Sequence, residues 1–102
     1  MVRILEDKYT AIQHACRAYG VAQMYVFGSA LRDDFRPGDS DIDLLVEFKP
    51  MSPHELVDAY FGLLDELRSI LGNSVDLVMA DAVKNRYIVA DIEHTKQVLY
   101  AV

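Results

Sequence analysis

The run from residue 41 to 48, Asp-Ile-Asp-Leu-Leu-Val-Glu-Phe, constrains the fold more than any other stretch of this chain. Successive strand side chains point to opposite faces. Ile42, Leu44, Val46 and Phe48 therefore share one face, and Asp41, Asp43, Leu45 and Glu47 share the other. The alternation predicts a half-buried strand with a core beneath it and two carboxylates at its leading end. Asp is poorly suited to strand interiors, so a pair of them immediately before an apolar run needs a reason. A solvated polar face on an edge strand is one. A bound cation is another, because carboxylates ~7 Å apart at the backbone on one face repel each other unless positive charge lies between them. Mg²⁺ suits such a pair, since it takes one or two protein carboxylates and completes its shell with water and substrate phosphates.

The flanking segments place this strand in a domain. Over residues 3–19, Ile4, Leu5, Tyr9, Ile12, Ala15, Cys16 and Tyr19 recur at spacings of three and four, and Gly20 follows as a stop signal, predicting one helix. Residues 21–27 are β-branched and aromatic and read as a buried strand, which ends abruptly at Gly28-Ser29. Ala30, Leu31 and Arg32 continue as a short helix before a loop containing Pro37-Gly38. Ser52-Pro53-His54-Glu55 has the pattern of a capping box with Pro at the first helical position. The helix it opens runs to about Leu71 on a stripe of Leu56, Ala59, Tyr60, Leu63, Leu64, Leu67, Ile70 and Leu71, and Gly72-Asn73 ends it. A short strand over 75–79 carries Asp76 among apolar neighbours. A helix over about 84–94 and a strand over 97–100 complete the order α, β, short α, β, α, β, α, β. This is an α+β (α/β) pattern, helices packed on a small mixed sheet. With 102 residues, the expectation is a single domain spanning 1–102.

Composition narrows the function classes. A hydrophobic share of 52% with 25% charged residues is ordinary for a globular protein. Cys16 is the sole cysteine, which excludes an intrachain disulfide framework and fits a reducing, cytoplasmic setting. No apolar run approaches the roughly 20 residues of a membrane span, and the N-terminus becomes charged too soon for a signal peptide. Ten Lys and Arg are scattered among sixteen Asp and Glu, giving a net charge of −6. Extended nucleic acid is therefore disfavoured, because phosphate neutralisation supplies most of the affinity of tight nucleic-acid binders. A basic protein or a small anion carried in with metal ions remains compatible.

Two further features join the carboxylate pair. A strand that ends in Gly28-Ser29 and starts a short helix presents unpaired backbone N–H groups, an anion site to which the serine hydroxyl adds a donor. The same dipeptide also serves as a plain turn and helix cap. Asp76 interrupts an apolar strand; exposure alone would explain it. If its strand lies beside that of Asp43, three carboxylates gather in one place, as a two-metal site requires. His14, His54 and His94 show no ligand spacing, Cys16 falls on the core stripe, and the six tyrosines are core or interface candidates. No Walker loop, Rossmann fingerprint or nucleophile elbow occurs.

The run from residue 27 to 48, with Gly28-Ser29 upstream of Asp41-Ile42-Asp43, resembles the nucleotidyltransferase signature of the DNA polymerase β-like superfamily. Arg36-Pro37, Asp39-Ser40, the segment around Asp76 and the ending from Asp91 to Ala101 are similar to its minimal nucleotidyltransferase branch. The spacer between Ser29 and Asp41 is one residue longer than that branch's pattern, with the extra residue around Pro37-Gly38-Asp39, where loops tolerate insertion.

The resemblance implies a polymerase β-like nucleotidyltransferase fold. It also implies a site in which Gly28 and Ser29 hold the β- and γ-phosphates of a nucleoside triphosphate, most simply ATP. Asp41, Asp43 and Asp76 would bind Mg²⁺, two ions in all, with Asp76 also deprotonating or orienting the acceptor hydroxyl. Arg32 is a further phosphate-neutralising candidate. Members of this branch pair with HEPN ribonuclease toxins and act as antitoxins by moving AMP from ATP onto a toxin tyrosine. A HEPN toxin is thus the implied partner, and opposite charge on a basic toxin would speed association. The 26 residues after Asp76 leave no room for an acceptor domain, so a partner or a second subunit of a homo-oligomer is expected to complete the site. The alternatives are an antitoxin that neutralises by occlusion without catalysis, and transfer to a small molecule or RNA end.

Overall fold

The computed structural model describes residues 3–31, 36, 39–82 and 86–102. The elements run α1 (Arg3–Asp7), α2 (Tyr9–Ala18), β1 (Val21–Phe27), a 3-10 turn (Gly28–Leu31), β2 (Ile42–Phe48), α3 (Pro53–Leu71), β3 (Val75–Met79), a second 3-10 turn (Ala80–Ala82), α4 (Arg86–Thr95) and β4 (Gln97–Ala101). The strands form a mixed sheet in the order β3-β2-β1-β4. β1 is antiparallel to both β2 and β4, and β2 runs parallel to β3. The α+β expectation, with helices on a mixed sheet, is met.

The first helix differs from the expectation of one continuous element over 3–19. It breaks at Lys8, whose backbone sits at φ −104° and ψ 12°. The Lys8 N–H still donates to Ile4 O at 3.1 Å, and the Lys8 carbonyl accepts from Ile12 N–H at 3.0 Å, so the two helices form a cranked pair. Leu5, Ile12, Ala15 and Cys16 are buried as their spacing predicts, but Tyr9, beside the break, is 38% exposed. A strict stripe cannot survive a change of helix direction. Residues 32–35, 37–38 and 83–85, which include Arg32, Pro37-Gly38 and the expected start of the last helix at Lys84, lie outside the described residues.

α3 starts where its sequence says. Ser52 Oγ accepts from Glu55 N–H at 3.2 Å, while Glu55 Oε1 accepts from Ser52 N–H at 3.3 Å, closing the capping box. Gly72 ends the helix at φ +59°, with its N–H on Arg68 O, a left-handed cap that favours glycine.

One face of the sheet holds the main core. Leu5, Ile12 and Cys16 from α1 and α2, and Leu63, Leu67 and Leu71 from α3, pack against Met24, Val26, Ile42, Leu44, Val46 and Leu77 from the strands. Among the described residues no polar or charged side chain is buried. Apolar packing is thus concentrated on this face, and the candidate carboxylates lie on the other. On that second face Ile92 of α4 and Leu45 of β2 are buried, and Lys96 Nζ lies 4.1 Å from the centroid of the Tyr25 ring. Among the described residues, no helix is long and apolar enough to cross a membrane.

Leu67→Ala is expected to lower unfolding free energy by about 2–5 kcal/mol and Ser52→Ala by about 1 kcal/mol, both readable in urea titrations. Burial pushes the Cys16 thiol from its ordinary value near 9 up to about 12. A raised folded-state value means the unfolded chain loses its proton first as pH rises. The contribution is intact below about pH 9 and declines towards pH 12, by up to about 1.4 kcal/mol per pH unit. Native protein should accordingly resist thiol alkylation at pH 8, and denatured protein should react at once.

Candidate active site

The site is built where β1 ends and β2 and β3 begin. Antiparallel pairing sets Phe27, the last residue of β1, opposite Asp43. Parallel pairing sets Asp43 opposite Asp76. Neighbouring strands lie about 4.8 Å apart, so these two carboxylates stand side by side on the second face. Asp43 is half-buried and Asp76 exposed. Asp41 precedes the first residue of β2 and is exposed.

Gly28 begins the turn directly after Phe27, at φ +70°. Its Cα faces Asp43: a Cβ built there would fall inside the contact distance of Asp43 Oδ2 and 3.2 Å from Cγ. Glycine is thus required twice, once for the left-handed backbone and once so that the carboxylate can stand against the chain. The backbone N–H groups of a 3-10 turn are open at its start, and this turn stands beside the acidic pair. Ser29 lies on this turn, its side chain outside the described atoms.

In the sequence Asn73 is only a helix-ending residue, yet in the fold it ties together the strand ends that carry the site. Its Nδ2 donates to Ser40 O at 2.8 Å and to Ser74 O at 3.1 Å, tying the residue before Asp41 to the residue before β3. The Ile42 N–H donates to Ser74 O at 2.9 Å, extending the ladder to the same point. The loop ahead of Asp41 is tightened by Asp39 and Ser40 N–H groups on Arg36 O and by Arg36 N–H on Ser40 Oγ. The one signal was composition: an Asn just past a helix cap, with an amide able to bridge two strands' leading ends.

Asp41, Asp43 and Asp76 offer hard carboxylate oxygens, the donor type for Mg²⁺. Among the described residues no group of three or more His, Cys, Asp or Glu side chains is close enough to hold a metal by itself. The structure brings Asp43 and Asp76 together in register, with Asp41 one step outside the strand. Such an arrangement suits a cation that shares its shell with substrate oxygens.

With this geometry the comparisons with known proteins agree. The model of the nucleotidyltransferase domain family matches residues 9–99. The chain belongs to that family. It is 44% identical over 75 residues to a Methanocaldococcus jannaschii protein provisionally named a protein adenylyltransferase, the match covering 74% of this chain and 72% of the relative. A second such protein of that organism is 33% identical over 76 residues, with the same coverage. Among solved structures, a provisionally named minimal nucleotidyltransferase is 28% identical with a TM-score of 0.76, covering 91% of this chain and 90% of that one. A toxin–antitoxin structure with AMP-PNP superposes at a TM-score of 0.70 and 22% identity, over 92% of this chain and 73% of that one. The complex of a tri-AMPylated Shewanella oneidensis HEPN toxin with its antitoxin does so at 0.66 and 21%, over 96% and 73%. These last two establish a shared fold. The protein is a nucleotidyltransferase.

Gly28→Ala and Gly72→Ala separate the two demands on Gly28. Both glycines have positive φ, but nothing lies within 4 Å of a Cβ at Gly72. Gly72→Ala should cost about 1–2 kcal/mol of stability, whereas Gly28→Ala should cost more and also displace Asp43, which a crystal structure or nucleotide affinity measurement would register. Asn73→Ala should weaken catalysis while lowering stability by only about 1 kcal/mol.

Proposed function

We propose that this nucleotidyltransferase moves AMP from ATP, with Mg²⁺, onto a hydroxyl of a protein partner, a tyrosine of a HEPN ribonuclease toxin, and so acts as its antitoxin. The observation that carries the reading is the Asp43–Asp76 register pair facing the Gly28 turn. A phosphate cradle and an acidic pair together match a triphosphate and its cations. The protein adenylyltransferase relatives and the shared fold with antitoxins of HEPN toxins support the acceptor class.

In this reading the Gly28 turn and the Ser29 hydroxyl hold the β- and γ-phosphates, and Asp41, Asp43 and Asp76 hold two Mg²⁺. The ions supply charge neutralisation at the triphosphate. Asp76, on the exposed edge strand, orients the acceptor hydroxyl and receives its proton. The acceptor oxygen attacks the α-phosphorus in line, the bond from that phosphorus to the bridging oxygen breaks, and pyrophosphate leaves with the electron pair. Positioning and charge complementarity carry such a reaction.

Incubating a HEPN protein from the same organism with this chain, Mg²⁺ and each of the four nucleoside triphosphates, then mapping adducts by mass spectrometry, tests the reading. AMP on a tyrosine in the ATP arm is expected, and its absence from every arm overturns transfer to this partner. Asp43→Asn and Asp76→Asn should each reduce transfer by about 100-fold or more. If Asp41→Ala with Asp43→Ala still silences the ribonuclease at stoichiometric dose, occlusion suffices and catalysis is not needed.

A further inference from the structure

A groove of about 400 Å³ runs along the outer edge of β3, walled by Val57, Tyr60 and Phe61 of α3 and by Leu77, Val78 and Met79 of β3. Val57 and Phe61 are 55% and 59% exposed. They stand one turn apart on the helix, forming a ridge of the i, i+4 kind that packs into the grooves of another helix. Contiguous apolar surface of this sort marks an interaction site.

Three observations select the occupant. First, the groove and the candidate active site share one strand: Val78, in the groove wall, lies two residues beyond Asp76 on the same face of β3, about 7 Å along it. Second, Tyr60 Oη donates to Leu77 O at 2.5 Å. A polar group of the β3 edge is thereby occupied, so an added strand is disfavoured there and side-chain packing is what the groove offers. Third, the rim is acidic. Exposed Asp58 and Asp65 flank the Val57–Phe61 ridge on α3, and exposed Asp81 stands just beyond the end of β3. Of the cations on α3, His54 sits 3.7 Å from Asp58 and Arg68 lies in the last turn.

We infer that the β3–α3 groove is the docking face for the acceptor protein, receiving an amphipathic helix whose apolar side chains fill it and whose basic flanks meet the carboxylate rim. The inference rests on the proposed transfer to a protein acceptor and adds where that protein binds. A partner docked there lies against the strand that carries Asp76, and its acceptor hydroxyl reaches the carboxylate around the β3 edge.

The test measures complex formation and transfer separately, with the HEPN protein above as probe. Val57→Asp/Phe61→Asp should weaken its association at least 30-fold by calorimetry, leave affinity for a fluorescent ATP analogue unchanged and keep a cooperative melt. Asp58→Lys/Asp65→Lys should weaken it at least 5-fold at low salt and less at high salt. Asp76→Asn should abolish transfer and keep the complex. If the Asp double variant does not fold, Val57→Thr/Phe61→Ser serves instead, with at least 5-fold weakening expected. Unchanged association in the folded variant overturns the inference, as does the lack of any wild-type complex. A variant that merely converts a dimer of this chain into monomers by sedimentation assigns the groove to a second copy and also overturns it. A wild-type complex that forms through the groove without nucleotide transfer upholds the docking face and rejects the proposed reaction.

Discussion

Parallel pairing between β2 and β3 sets Asp43 opposite Asp76, and a one-residue slip would send Asp76 into the core. Like charges side by side on adjacent strands oppose the pairing. What holds the register is the other face, where Ile42 is paired with Val75 and Leu44 with Leu77 over the buried leucines of α3. The Asn73 amide then fastens the two leading ends. An apolar ladder thus keeps two like-charged groups side by side in place.

Most of this was readable from the sequence because it depends on local periodicity. The capping box at Ser52 and the cysteine in the core follow from spacing and side-chain chemistry and stand as expected, and the strand expected over 41–48 forms over Ile42–Phe48, leaving Asp41 just outside it. The Gly-Ser turn was visible as a pattern, though its contact with Asp43 was not. That contact requires β1 to be antiparallel to β2 in one register, which no local signal encodes. The break at Lys8 was illegible for a different reason: the apolar residues on both sides fit one continuous stripe. The positioning role of Asn73 was illegible because one carbonyl it bridges, that of Ser40, lies 33 residues away.

The two sheet faces divide the work. With no charged side chain buried among the described residues, the core face can be altered without touching a charged group, and the carboxylates can be altered without opening a cavity. Loss of activity and loss of fold are therefore separable by choice of face. Gly28 is the exception, since its backbone belongs to the end of a core strand while its bare Cα belongs to Asp43.

That double demand has a consequence for how this enzyme can diversify. At most positions near an active site, several residue types are physically admissible and specificity drifts through them. At position 28 one is. Left-handed backbone removes nearly all L-residues, and the carboxylate standing against the Cα removes the small ones that could bear the strain. New specificities must then be written in the surrounding walls, around a turn that stays fixed.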